Sequence, residues 1–295
     1  MSVFLQQTVN GLSLGSAYAV FAVGFTLLFG VLNVLNLAQG AVFMVGAFTG
    51  LELVRLVELP LPLAFLVAMV TAGAVSVLTQ VAVFGPLERR GGHRWMGLIA
   101  SLAVARLLVA IAQEVFGTQV LRYPSEPWME ASWTIAGVQI QGLQLIVLAT
   151  ALLVMAALAV LLRATQTGRA IRTMAFNPNV ARLVGVPVQR MTLLTYFIAG
   201  ALAGAAGVQL GVLYNAVSPF MGETILLKGL TVLILGGLGH VPGAALAGLL
   251  LGLTEVYSVG YLSSSFRDAV GFGLVFIILL VRPHGLFGLT TRQRA

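Results

Sequence analysis

Residues 142–162 read GLQLIVLATALLVMAALAVLL, without one ionisable side chain, and they are one of several such runs in the chain. An apolar stretch of roughly 20 residues is what a helix needs to cross the hydrocarbon of a bilayer. A soluble domain carries about a quarter charged residues, whereas here the charged share is 8% of 295 residues. So few charges cannot clothe a soluble exterior around so many apolar side chains, so the solvent is lipid. The fold class that follows is an all-α polytopic membrane protein, a single transmembrane domain over 1–295.

Residues 1–51 hold no charged side chain and are too long for one span. Gly30, Asn33, Asn36, Gln39 and Gly40 interrupt them, which predicts one helix to about Val31, a polar break, and a second helix to about Leu51. Further spans are expected at 61–84, 96–117, 142–162, 191–213, 242–260 and 269–282. The stretch 224–239 is apolar but short and broken by glycine, and either re-enters or spans, beside about eight clear spans. Ala17-Tyr18-Ala19 imitates a signal cleavage site, but no basic stretch precedes it as a signal peptide requires.

The charges collect between the runs. Segment 85–95 sets Glu88 against Arg89, Arg90 and Arg94, the tail after 281 carries Arg282, Arg292 and Arg294, and segment 163–190 has five arginines and no acid. Segments 52–58 (Glu52, Arg55, Glu58) and 118–137 (Arg122, Glu126, Glu130) lean acidic. Basic loops stay in the cytoplasm, and from 52 to 190 the two kinds alternate as the spans require. The net charge of +7 therefore reports membrane topology and contact with anionic headgroups, not nucleic acid. With no Cys in the chain, disulfides, thiolate metal sites and a Cys nucleophile are excluded. His93, His240 and His284 show no ligand spacing.

Within 163–190 the punctuation is clear. Asn177 suits an N-cap, Pro178 the first helical position and Gly185 the residue just past the end. The helix between them is under two turns and places Val180, Ala181, Leu183 and Val184 where water would surround them, so something must pack on it. That cover is either the protein's own membrane domain with its lipid headgroups, or a separate cytosolic subunit. Spacing and composition leave the two level.

GRAIRTMAFNPNVARLVGVP (168–187) resembles the cytoplasmic coupling segment of bacterial ABC-importer permeases of the branched-chain amino acid class, the LivH type. NGLSLGSAYAVFAVGFTLLFGVLNVLNLAQGAVFMVGAF (10–48) is similar to that family's first two helices, LILGGLGHVPGAALAGLLLGLTE (233–255) to its glycine-rich late segment, and VRPHGLFG (281–288) to its C-terminal signature. The resemblance implies that Arg172, Asn177, Pro178, Val180, Ala181, Arg182, Leu183 and Gly185 form an ATPase-docking element. It implies as partners a second homologous permease, two cytosolic ATPases that bind ATP and Mg, and an extracytoplasmic solute-binding protein received on 118–137 and 214–223. The implied place is the bacterial inner membrane, and the implied cargo Leu, Ile or Val, although related permeases move other small solutes. Two departures stand out. Gln39 and His240 occupy positions where the family shows histidine and serine, and no role transfers to them.

The chain itself binds no cofactor: its one lysine, Lys228, sits in LLKGL, so no GxxxxGK[ST] phosphate loop exists. Asn33, Asn36 and Gln39 recur at three-residue intervals, which sets them near one face of a helix or tight turn; with Gly40 they are candidates for a translocation path or gate, or for capping and interhelical hydrogen bonds at the break. Gly236, Gly237 and Gly239, followed by Gly243 and Gly248, admit close helix packing or a hinge. Arg106, Glu114 and Glu255 fall inside apolar runs, where charges serve function or an interhelical ion pair. Lys228 and Glu223 are expected near the outer boundary, snorkelling to water. A gradient-driven secondary carrier would have to draw its ion sites from Arg106, Glu114 and Glu255, and would leave the capped basic helix unexplained. An intramembrane enzyme has no recognisable constellation around Ser101 or Ser258.

Overall fold

The computed structural model describes residues 2–33, 35–89, 91, 94–124, 132–135, 138–282 and 285–287. His93, His284, Arg90, Glu126, Glu130, Arg292 and Arg294, with parts of 118–137 and of the C-terminal signature, lie outside the described residues. The helices are α1 (Ser2–Leu32), α2 (Gln39–Leu56), α3 (Leu61–Thr79), α4 (Gly85–Arg89), α5 (Arg94–Phe116), α6 (Gly142–Ala164), α7 (Gln166–Phe176), α8 (Pro178–Leu183), α9 (Val188–Tyr214), α10 (Met221–Gly236), α11 (Val241–Tyr261) and α12 (Arg267–Val281). A π-helical turn, Gln80–Phe84, joins α3 to α4. A small antiparallel hairpin, Ser132–Ile135 with Val138–Gln141, precedes α6. Among the described residues eight helices are long and apolar enough to cross a membrane, and they fall on the eight expected spans. One boundary differs: α2 runs on to Leu56, so Glu52 and Arg55 ride its last turns instead of forming a loop.

Which helices form the interior follows from residue size. Helix α1 is apolar on every side and is 89% buried over its spanning window, while the last span is 6% buried. A helix hydrophobic all round belongs inside; the outer helices turn Leu153, Ile277 and Leu280 to lipid. Lipid supplies no hydrophobic drive between helices, so contact depends on close backbone approach through small residues. Helix α1 meets α11 through Gly15 against Gly252 and Ala19 against Gly248, and α9 meets α2 through Gly204 against Gly46. A methyl group on Gly46 would overlap the Gly204 backbone.

The two ends of α1 fix the topology. Near its start, Gln6 pairs with the Gln139 backbone and the Asn10 side chain accepts from Gln144, so it begins on the face of the 132–141 hairpin. Its far end puts Gly30 against Gly239, on the face of the basic segment. Helix α10 resolves the doubtful stretch. It follows Val217, which pairs with Leu121 on the hairpin side, and ends where Gly236 packs on Gly243 on the basic side. There Leu286 donates its N–H to the Leu235 carbonyl at 2.9 Å. The segment is not re-entrant: it crosses, α11 returns, and α12 crosses again. That parity places Arg282 on the basic face, as its charge requires.

The inner helices are cross-tied by a buried ion cluster. Lys228 Nζ lies 2.6 Å from Glu255 Oε1, and Arg267 Nε 2.9 Å from Glu255 Oε2. The Tyr18 hydroxyl donates to Glu255 Oε2 at 3.0 Å and accepts from Lys228 Nζ at 3.1 Å. Arg267 also reaches Tyr214, so five helices converge here. Snorkelling does not describe Lys228: its side chain is 9% exposed, halfway along α10, and is held by buried Glu255 and, at 3.4 Å, by the exposed Asp268 at the edge of the cluster.

Two outcomes follow. The chain lacks cysteine, so Ser265→Cys and Asn179→Cys each create a single thiol, and an impermeant maleimide added to one side of sealed vesicles labels one of them and not the other. Labelling of both from the same side would mean that α10 does not cross. Replacing Glu255 by Leu leaves Arg267 without its carboxylate and Lys228 with only the exposed Asp268, and costs about 3–5 kcal/mol. Lys228→Met costs less, because Arg267 still neutralises Glu255. Thermal unfolding of the two variants in detergent gives the order, and a reversed order would deny Glu255 its place at the centre of the cluster.

Candidate functional site

The basic segment 163–190 is a helical hairpin packed under the membrane domain. Helix α7 starts at Thr165, whose side chain accepts from the Gly168 N–H at 3.0 Å, and it buries Gly168, Ile171 and Met174 on one face. Gly168 lies against the last carbonyls of α6, leaving no room for a Cβ. Helix α8 has the expected caps. Asn177 Oδ1 accepts from the N–H of Asn179 and of Val180, Pro178 opens the helix, and Gly185 adopts a φ of +80°. The Val186 N–H then closes onto the Ala181 carbonyl at 2.9 Å, and that of Gly185 onto Arg182 at 3.1 Å, a Schellman end.

The two covers left open for this segment divide between its residues. Ala181 is fully buried against the chain's own helices, so it is not part of an outward surface. Leu183 is 87% exposed and Phe176 90%, with Val180 and Val184 also open. Arg172 and Arg182 flank them, exposed. Phe176 was missing from the expected set, and so was α7. Both signals were present in the sequence: a Thr165 cap, and Ile171 and Met174 at helical spacing.

The break between α1 and α2 forms a second polar place, inside the membrane. Asn33 takes a left-handed φ of +53°, which ends α1 and destroys the three-residue periodicity. Asn33 is therefore exposed, while Asn36 and Gln39 are buried. Asn36 Oδ1 accepts from the Ala38 N–H at 3.0 Å, and Gln39 Nε2 donates to the Ala199 carbonyl at 2.8 Å. The Leu37 N–H is received by Ser101 Oγ at 3.1 Å. Asn36 and Ser101 thus answer part of the broken backbone and Gln39 ties the break to α9, while Asn36 Nδ2 and Gln39 Oε1 have no partner among the described residues.

Helix α2 therefore starts at bilayer depth, and α10 starts beside it, Gly40 packed directly on Gly222. Neither helix has a side-chain N-cap. Their two N-termini, each the positive end of a helix dipole, share one region. Glu223, in the first turn of α10, meets Arg106, midway along α5. This pair, unlike Lys228–Glu255, is open: the side chains are 64% and 49% exposed. Glu114 is exposed at the far end of α5, away from the pair. Gly236, Gly237 and Gly239 lie elsewhere, in the tight α10–α11 turn on the basic face, where Gly237 and Gly239 have φ of +99° and +79°. Of the proposed receiving surface, 121–123 and 215–217 come together, Tyr123 donating its N–H to Asn215 Oδ1 at 2.9 Å.

Comparison with known proteins agrees with this architecture. The family profile described as "Branched-chain amino acid transport system / permease component" matches residues 7–280. The high-affinity branched-chain amino acid transport system permease protein LivH of Salmonella typhimurium is 32% identical over 296 residues, covering 97% of this chain and 96% of that protein. LivH of Escherichia coli K12 is 32% identical over 298 residues with the same coverage, and the permease protein BraD of Pseudomonas aeruginosa 32% over 296. Among solved structures, PsaBC from Streptococcus pneumoniae, determined with a Fab, superposes with a TM-score of 0.52 at 13% identity, over 96% of this chain and 94% of that one, a likeness of fold. With a profile match over nearly its whole length and relatives aligned end to end, the chain belongs to the family of branched-chain amino acid transport permease components.

Proposed function

We propose that this chain is the membrane-spanning subunit of an ATP-binding-cassette importer that passes leucine, isoleucine and valine, or a related small solute, across the bacterial inner membrane. The names of its relatives support the cargo. The observation that carries the reading is the α7–α8 hairpin: Phe176 at the end of α7 and Leu183 at the end of the capped α8 are almost fully exposed on the basic face. Apolar side chains so presented mark a protein contact. In this reading a cytosolic ATPase covers them, binds ATP and Mg, and supplies the energy that this chain has no phosphate loop to supply. The chain is non-catalytic.

The same packing explains how a movement outside would reach the membrane. Ala181 and Met174 are seated in the core and Gly168 on the end of α6, so a displacement of α8 is passed to α1, α6 and α9 as a rigid contact. The open Arg106–Glu223 pair supplies the path. Charges at bilayer depth face protein or water, not lipid, so a second permease subunit covers this face and encloses an aqueous route. One exposed cation and one exposed anion complement the carboxylate and ammonium of a zwitterionic amino acid, and the adjoining N-termini of α2 and α10 add positive ends for its carboxylate. An extracytoplasmic binding protein would deliver the solute to the seam of 121–123 and 215–217.

The double variant Arg182→Glu, Leu183→Asp abolishes copurification of the ATPase from detergent while the permease keeps its elution profile; retention of the ATPase would sink the docking role of α8. In liposomes carrying the assembled importer, Arg106→Gln with Glu223→Gln lowers leucine uptake at least tenfold, a loss of roughly 1.4 kcal/mol of transition-state binding. ATPase copurification is unchanged. Uptake at the unaltered rate would place the path elsewhere.

A further inference from the structure

On the basic face a groove of about 600 Å³ opens between α6 and α11, within the roughly 300–1,000 Å³ typical of ligand sites. Its floor is the inner end of α1, Val23, Leu27 and Gly30, and one wall is Leu152, Met155 and Ala159 of α6. The other wall is the α10–α11 turn with the start of α11, where Gly239 packs on Gly30 so that no side chain fills the floor. Most of the lining is apolar. Its polar contributors are Arg163 at the end of α6, Arg172 on α7, and His240.

These three form a cationic and hydrogen-bonding rim at the level where headgroups lie. Both arginines are exposed, and among the described residues neither meets a carboxylate. Segment 163–190 contains no acid to neutralise them. His240 Nδ1 accepts from the Gly243 N–H at 3.0 Å, which leaves Nε2–H of the neutral ring as the donor. The ring stacks on Phe287 at 5.8 Å, which holds its plane. An apolar channel at acyl depth, closed at the headgroup end by two unpaired guanidiniums and an imidazole N–H, matches one occupant: an amphiphile with a long hydrocarbon tail and an anionic phosphate. Basic pockets between spans on the cytoplasmic side bind such headgroups.

We propose that this groove is a binding site for an anionic phospholipid of the leaflet on the basic face, its phosphate held by Arg163, Arg172 and His240 and an acyl chain laid over α1. Because α7 contributes Arg172 while α6 contributes Arg163, the bound lipid ties the hairpin α7–α8 to the membrane domain. The site stands on its own geometry and does not depend on the importer reading.

The test uses the full-length chain released from nanodiscs of equal phosphatidylglycerol and phosphatidylcholine, with retained lipid counted by native mass spectrometry. The wild type keeps phosphatidylglycerol over phosphatidylcholine by about tenfold, and Arg163→Gln with Arg172→Gln removes the preference. Arg169→Gln with Arg190→Gln removes as much charge from the same segment but off the groove, and keeps it. Ala159→Trp, which fills the channel without touching a charge, loses the retained lipid. Inorganic phosphate at millimolar concentration does not displace the lipid. Equal retention of the two lipids by the wild type overturns the proposal. So does a preference that survives loss of Arg163 and Arg172, that falls equally with Arg169 and Arg190, or that phosphate alone competes away.

Discussion

A bilayer offers no hydrogen bonds, so wherever this chain stops being helix inside one, its own groups must answer the exposed backbone. Most of what distinguishes the structure grows from that constraint. The break after α1 is made by one residue in a left-handed conformation and closed by Asn36, Gln39 and Ser101, each receiving or giving a bond that lipid cannot. The cost of breaking the helix is tolerable only because α9 and α5 stand close enough to take part. They do so because small residues line the seams, Gly204 against Gly46 above all. Small-residue packing and polar breaks are therefore two parts of one arrangement.

The same constraint separates the two ion pairs. Lys228 and Glu255 are buried among five helices, satisfied by Tyr18 and Arg267 with Asp268 at the exposed edge, and behave as a structural tie. Arg106 and Glu223 have comparable sequence settings but lie on an open face. A charged pair that the fold could have buried and did not is meaningful only if something other than lipid lies against it. A gradient-driven carrier would need Glu255 free to exchange its partner. Its place between Lys228 and Arg267 leaves it no such freedom.

Much of this was legible in the sequence. The eight long spans follow from run length and from the polar break after Val31, and α8 follows from Asn177, Pro178 and Gly185, whose chemistry is local and so is carried by neighbours in sequence. What was hidden is non-local. Lys228 and Glu255 are partners across two helices, and nothing near either residue announces the other, so a lone lysine in an apolar run reads as one that snorkels. The periodicity of Asn33, Asn36 and Gln39 suggested a common face, but it holds only if the backbone stays helical, and Asn33 ends it. Helix α10 is too short to be read as a span from length, yet the arginine at 282 already demanded an odd number of crossings. Ala181 looked exposed because a short helix in a basic loop gives no hint of which side rests on the domain.

The burial of α1 has a consequence for how the protein is made. Helix α1 leaves the ribosome well before the helices that enclose it, chiefly α11 and α9, with α6 and α10. For most of translation, α1 must wait in lipid with its glycine seam uncovered and Tyr18 without Lys228, Glu255 or Arg267. A segment free of charge can wait there; one that carried its own half of an ion pair could not without a companion. By lodging every charge of the cluster in the last third of the chain, the sequence lets α1 insert before its partners and keeps the closing of the core for late in synthesis.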